Sequence, residues 1–327
     1  MSFTSLSSLL GGPIQSGGLT GYGLAPTPQI FPYKWIAVRP RFTQFSTELA
    51  LTPLQRTDGL TKASGVVGCL NRRYYGSDSR TDHSFFIGSW GKNTAGRPPR
   101  DVDLYFVLPV EVYYRFQGHV WNRQSALLQE VKSALAETHP DTHMSGDGQI
   151  VLVRFGSYSV EVVPAFLLKN GSYWICDSNN GGRYKENNPW AEANHIDAVD
   201  QATNCNLRPL IRMIKAWQEH CSVPIKSFQL ELIAAEFLAQ SPWRKYDLFW
   251  FDWISRDFFL FLYWKANKSI AVPGSSEIIY LCNDWQSRAE SAYWRAVNAC
   301  DYERDNKVEQ AGEEWQKIFG QQIPRTV

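Results

Sequence analysis

The chain has 327 residues, and its 33 Lys and Arg nearly balance its 32 Asp and Glu. A net charge this close to zero gives no reason to expect a long nucleic acid as partner, so polyanion binding would have to come from a local patch. Six cysteines, at 69, 176, 205, 221, 282 and 300, form no CxxC pair, which argues against a zinc ribbon and a disulfide framework and fits a reducing cytoplasm.

The first thirty residues are rich in Gly, Ser, Thr and Pro and lack a basic stretch followed by a long apolar run. Neither a signal peptide nor a membrane anchor is expected, and residues 1–40 read as a flexible arm. At Thr52-Pro53 with Gln55 a helix should begin, because threonine caps, proline suits the first turn and glutamine completes a capping box. Leu60, Ala63, Val67, Leu70 and Tyr74 continue it at spacings of three and four to about Gly76. Gly59, Gly65 and Gly68 oppose a helix by up to about 1 kcal/mol each, and close packing would explain them. Strands are predicted at Phe85–Ile87, Val102–Leu108, Ile150–Phe155 and Tyr158–Val163. The last two are joined by Gly156-Ser157, the pattern of a type II′ hairpin. Ala126, Leu127, Val131, Ala134 and Leu135 mark another helix between strands. From Asn206 the pattern turns helical, with Leu207, Leu210, Ile211, Ile214 and Trp217 on one face. The fold class is therefore α/β (α+β) in two lobes, residues 41–200 forming a mixed-sheet lobe and 201–327 a helical lobe.

The chemistry concentrates in Gly88-Ser89-Trp90-Gly91-Lys92-Asn93-Thr94 followed by Asp101-Val102-Asp103-Leu104. In a strand, residues i and i+2 share a face, so Asp101 and Asp103 project together at roughly 6.5 Å spacing while Val102, Leu104 and Phe106 face the core. Their repulsion is on the order of 2 kcal/mol at an effective dielectric near 20, which a divalent cation would relieve. Mg²⁺ suits such oxygen ligands and a phosphate substrate. Gly88 lets backbone N–H groups approach phosphate oxygens, and Ser89 adds a hydroxyl. Either piece alone reads better as a solvated strand end or a turn. Together they would arise by chance with probability on the order of 10⁻⁴.

GSWGKNT followed by DVDL resembles the hG-[GS] and DxD motifs of the DNA polymerase β-like nucleotidyltransferases, in particular the bacterial cGAS/DncV-like enzymes, the CD-NTases. The resemblance continues through Val160-Glu161-Val162-Val163-Pro164, Asn188-Pro189-Trp190, Arg212-Met213-Ile214-Lys215-Ala216-Trp217 and Pro224-Ile225-Lys226-Ser227-Phe228 with Glu231. It implies a polymerase β-like fold with a long spine helix and a helical lobe closing a nucleotide cleft. It further implies two Mg²⁺ ions, with Mn²⁺ as a substitute, held by Asp101, Asp103 and a third acid at the position of Glu161. The family usually carries Asp there, and an ion-pair partner is the alternative reading of Glu161. Lys215 and Ser227 resemble residues that hold the triphosphate and Phe228 the aromatic that stacks on a base, although an exposed lysine and a core aromatic are equally ordinary. Lys92 and Thr94 join Gly88 and Ser89 as nucleotide-contact candidates. Arg97 and Arg100 fit a phosphate contact or a solvated loop.

The implied function is condensation of nucleoside triphosphates into a cyclic di- or trinucleotide that activates a downstream effector in antiphage (CBASS) defence, with a regulatory partner at the C-terminus. No membrane is involved. No Cys/His cluster corresponds to the zinc-binding insertion of animal cyclic GMP-AMP synthase, and His195 reads as a structural polar residue. The alternatives are a nucleotidyltransferase acting on tRNA, protein or a small molecule, and a nucleotide-binding pseudoenzyme.

Overall fold

The structure, a computed structural model, describes residues 34–140 and 142–327. The arm expected over residues 1–40 therefore lies mostly outside the described residues. Helix α1 (Val38–Leu49) occupies the end of that segment and buries Val38, Phe42, Phe45 and Leu49. These four pack into one core with Leu210, Ile214, Trp217, Phe251 and Trp315, so α1 packs against the C-terminal helices. Its stripe was disguised by two residues. Pro40 sits in the first turn, where its missing N–H costs nothing. Arg41 is fully buried, and its guanidinium is matched by Glu303 at 2.7 Å and by the Val308 and Arg325 carbonyls at 2.7 and 2.9 Å.

Helix α2 (Pro53–Tyr75) starts as its sequence requires. Gln55 N–H donates to Thr52 Oγ1 at 3.2 Å, and Thr52 N–H donates to Gln55 Oε1 at 3.0 Å, closing the capping box. It stops at Gly76, whose φ of 62° is the left-handed cap that glycine favours. Packing accounts for two of its three glycines. A Cβ on Gly59 would lie 2.6 Å from the Trp90 ring and one on Gly68 would lie 3.2 Å from Arg80, whereas Gly65 has nothing within 4 Å and no packing reason to be glycine.

Beyond α2 come β1 (Ser84–Phe86), the single turn α3 (Gly88–Gly91), β2 (Val102–Val107), α4 (Val110–Gln117), α5 (Arg123–Thr138), β3 (His143–Asp147), β4 (Ile150–Arg154), β5 (Ser159–Leu167), β6 (Tyr173–Asp177) and β7 (Arg183–Asn187). Among the described residues these seven strands form one mixed sheet in the order β1-β2-β5-β4-β3, with β6 joining the far end of β5 and β7 pairing β6. Val102, Leu104 and Phe106 face a core shared with Val66, Leu70, Leu127, Val131, Val151 and Val160, so α2 and α5 cover one face of the sheet. Ile150–Arg154 and Ser159–Leu167 do form an antiparallel pair. The connection, however, is not a type II′ turn, since Gly156 is absent from the positive-φ glycines that such a turn requires. The loop is instead drawn onto α2, where Ser157 Oγ bonds Asp58 Oδ2 at 2.5 Å and receives Lys62 Nζ at 2.7 Å. A tertiary contact has overridden local turn chemistry.

Helix α6 (Pro189–Ala202), capped by the Asn188 side chain, leads to α7 (Leu207–His220), α8 (Ser227–Gln240), α9 (Phe251–Tyr263), the hairpin β8 (Lys268–Ala271) and β9 (Ile278–Leu281), α10 (Gln286–Arg304) and α11 (Val308–Phe319). Two arginines of α7 fasten the lobes together. Arg208 donates to the Lys92 carbonyl at 3.0 Å, and Arg212 donates to the Ala95 and Asn93 carbonyls at 3.0 and 2.8 Å. Charged donors on carbonyls are among the stronger neutral-acceptor contacts, and these hold the loop after α3 against the helical lobe.

Candidate active site

The site is built where β1 turns into α3. Gly88 has φ +56°, and a Cβ there would stand 2.1 Å from Asp103 Oδ2. Only glycine fits, both for its conformation and for the carboxylate it admits. Ile87 N–H donates to the Asp103 carbonyl at 3.0 Å, which fixes the turn against β2.

Strands β2 and β5 run parallel with Asp103 directly opposite Glu161. Asp101 lies one residue before β2. Asp101 and Asp103 both line a cavity of about 290 Å³ between the lobes, whose walls also include Gly88, Ser89, Lys92, Thr94, Lys215, Ser227 and Phe228. The structure thus brings nine of the ten candidate residues to the walls of one cavity, while Glu161, opposite Asp103 across β2 and β5, is outside that lining. Burial, the neighbouring Glu161 and Asp101 push the Asp103 carboxyl up to about 7, against a smaller pull from Lys92. Burial and Asp101 also raise Glu161, partly offset by its hydrogen bond with Asp103. Burial first and the neighbouring acids second disfavour the charged forms of Asp103 and Glu161, a condition a divalent cation relieves.

Among the described residues no three His, Cys, Asp or Glu side chains already stand at metal-ligand spacing. The donor set nevertheless fits a hard cation. It is oxygen-only, acidic, partly buried and adjacent to a phosphate-sized opening, and the raised Asp103 shows how poorly the site tolerates its own charge.

The basic half of the site was only partly legible. Lys92 is 6% exposed, not a loop lysine in solvent, because Glu231 Oε2 lies 2.5 Å from its Nζ. Lys215 Nζ lies 2.5 Å from Glu231 Oε1, which also accepts from Thr94 Oγ1 at 3.1 Å. Lys92 Nζ sits 5.1 Å over the Phe228 ring. The Ser227 hydroxyl donates to Gln218 Oε1 at 2.8 Å. Arg97 and Arg100 reach the cavity wall with their charges already matched. Arg97 pairs with Glu48 at 3.4 Å and donates to the Thr47 carbonyl at 2.5 Å, and Arg100 pairs with Glu219 at 2.6 Å. Sequence reasoning passed over Arg212, Glu219 and Trp90, which also line the cavity. Arg212, Lys215 and Glu219 recur at spacings of three and four, a polar stripe opposite the apolar face of α7 that could have signalled them. His195 lies on α6, outside that lining, its pKa lowered by burial.

A family model described as the Second Messenger Oligonucleotide or Dinucleotide Synthetase domain, SMODS, matches residues 36–200. The chain belongs to this family. It is accordingly a nucleotidyltransferase, of a superfamily that generally uses divalent metals. No curated protein sequence matches the chain. Among solved structures, Vibrio cholerae DncV bound to 3′-deoxy ATP superposes with a TM-score of 0.67 at 12% identity, covering 88% of this chain and 96% of that one. The same V. cholerae enzyme, described as a cyclic AMP-GMP synthase in complex with the linear intermediate 5′ pppA(3′,5′)pG, gives 0.66 at 12% identity with the same coverage. E. coli MS115-1 CdnC, in a complex with a HORMA protein, gives 0.61 at 18% identity, covering 88% and 98%. The SMODS chain has the polymerase β-like nucleotidyltransferase fold of these proteins, and no helix among its described residues is long and apolar enough to cross a membrane.

Proposed function

We propose that this SMODS protein condenses nucleoside triphosphates into a cyclic di- or trinucleotide at the cavity between its lobes. The observation that carries the assignment is the facing of Asp103 and Glu161 across β2 and β5, beside a glycine that only an uncrowded carboxylate approach requires. Asp101, Asp103 and Glu161 would hold two Mg²⁺ ions, with Mn²⁺ as a substitute, and the ions when bound supply Lewis acidity at the attacked phosphate and the leaving pyrophosphate. The extra methylene of Glu161 relative to Asp alters its reach and not its charge.

The remaining steps belong to the protein's own side chains. The turn at Gly88 and Ser89 offers backbone N–H groups and a hydroxyl to phosphate oxygens. Lys92 and Lys215 bring ammonium donors to the polyphosphate, the Thr94 and Ser227 hydroxyls would have to turn from Glu231 and Gln218 to join them, and the Phe228 ring gives a base a face to stack on. Holding two nucleotides together converts a bimolecular attack of a ribose hydroxyl into a local one. A second transfer after the linear intermediate turns round would close the ring, as the linear intermediate held by V. cholerae DncV suggests by analogy. We extend the reading to antiphage signalling through a downstream effector, in the cytoplasm. The reading includes a regulatory partner at the C-terminus; the complex of E. coli CdnC with a HORMA protein supports a protein partner as such.

Incubation with each of the four α-labelled nucleoside triphosphates and their mixtures, with Mg²⁺ or Mn²⁺, then phosphatase and chromatography, tests the proposal. A phosphatase-resistant product supports it. Label in a macromolecule, or no product in any mixture, contradicts it.

A further inference from the structure

Glu231 is an acid set among the basic residues of the cavity, and its placement calls for a reason. It lies on α8, 3% exposed, and its carboxylate meets residues of both lobes. Oε1 accepts from Lys215 Nζ of the helical lobe at 2.5 Å and from Thr94 Oγ1 of the sheet lobe at 3.1 Å. Oε2 stands 2.5 Å from Lys92 Nζ, also of the sheet lobe. A buried carboxylate is a poor neighbour for a triphosphate, so direct contact with substrate is not its use. Its effect is on the lysines. Burial alone would drive the Lys215 ammonium toward its neutral form, and its pKa is lowered even with Glu231 pulling the other way. Burial pushes the Glu231 carboxyl up, yet Lys215 and Lys92 outweigh it and the acid stays ionised. Two ammonium groups meet at Glu231, with Glu192 Oε2 a more distant second acid 3.9 Å from Lys92 Nζ, and each ammonium keeps a donor that Glu231 does not occupy.

We propose that Glu231 is a positioning residue for nucleotide transfer: its carboxylate spans the lobes and holds Lys92 and Lys215 as a paired cradle for the polyphosphate tail. This rests on the proposed function. The carboxylate fixes the separation of two long, otherwise mobile side chains, which lowers the entropy lost when phosphate binds. It also couples lobe closure to phosphate binding, because one lysine comes from each lobe.

The test is calorimetric binding of inorganic tripolyphosphate, which cannot undergo transfer, to the full chain and to Glu231→Gln, with steady-state kinetics alongside. The neutral isostere is expected to weaken tripolyphosphate binding at least tenfold and to raise KM for triphosphate by a similar factor, with kcat within threefold and AMP binding unchanged. Glu231→Asp, which keeps the charge but retracts it, should fall between, about threefold weaker. Unchanged or tighter tripolyphosphate binding by a folded Glu231→Gln protein overturns the proposal, as does a loss of kcat at constant KM. If the Gln variant does not fold, Glu231→Asp decides, and wild-type affinity there overturns it. Wild-type protein that binds neither tripolyphosphate nor ATP would instead defeat the functional reading beneath it.

Discussion

Replacing Asp103 by Asn should make the metal-free protein more stable while abolishing its chemistry. The folded Asp103 carboxyl is pushed up to about 7 from 3.8, first by burial and then by Glu161 and Asp101. The folded state therefore holds a proton that the unfolded state has released, so stability falls as pH rises from about 4 to about 7 and the full cost is present above that. That interval, at about 1.36 kcal/mol per pH unit, sets a ceiling of about 4 kcal/mol. Because Asp103 and Glu161 share the proton, a net gain of about 1–3 kcal/mol is the realistic expectation for an uncharged amide that can donate to Glu161. Denaturant unfolding in EDTA at pH 5, 6, 7 and 8 measures it. The difference between variant and wild type should grow with pH and level off above about 7, and saturating Mg²⁺ should close it by stabilising wild type alone. An Asp103→Asn protein no more stable than wild type at pH 8, or a difference that does not change between pH 5 and 8, would refute the claim that burying the Asp103 charge beside Glu161 and Asp101 costs stability.

Gly88→Ala places a methyl where Asp103 Oδ2 now lies and forces a side chain into φ +56°. Turnover should fall at least ~100-fold, following the penalty for displacing a reacting group by about an ångström, while circular dichroism stays unchanged; near-normal kcat would contradict the geometry. Arg41→Met leaves Glu303 buried without its partner and frees the C-terminal carbonyls. Such orphaned charges cost about 3–5 kcal/mol, so the denaturation midpoint should drop sharply, and restoration by the paired Glu303→Leu substitution would identify the stranded charge as the cause.

How far the sequence reveals this molecule depends on the range of the interactions involved. Helix α2 was readable to its ends, since Thr52, Pro53, Gln55 and Gly76 act within a few residues of themselves. The Asp101/Asp103 arrangement was readable because a two-residue offset at the start of a strand is local, although Asp101 itself lies one residue before β2. Its completion by Glu161 came from family resemblance, since parallel pairing of β2 with β5 joins segments some sixty residues apart and no local rule sets that register. Helix α1 was obscured by a buried arginine whose partner, Glu303, lies 262 positions away. The loop at Gly156-Ser157 followed Asp58 and Lys62 rather than its own turn preference. Glu231 could be quoted from the sequence, but its bond to lysines of both lobes appears only once the lobes are packed. Local chemistry shaped the elements, and long-range charge pairing shaped the cleft.

The most direct trial is single-turnover reaction of α-labelled nucleoside triphosphates with Mg²⁺, comparing wild type with the Asp101→Asn/Asp103→Asn double variant. The account predicts a phosphatase-resistant nucleotide from wild type and none from the double variant, although both fold and both bind tripolyphosphate. Equal product from the two proteins would contradict it.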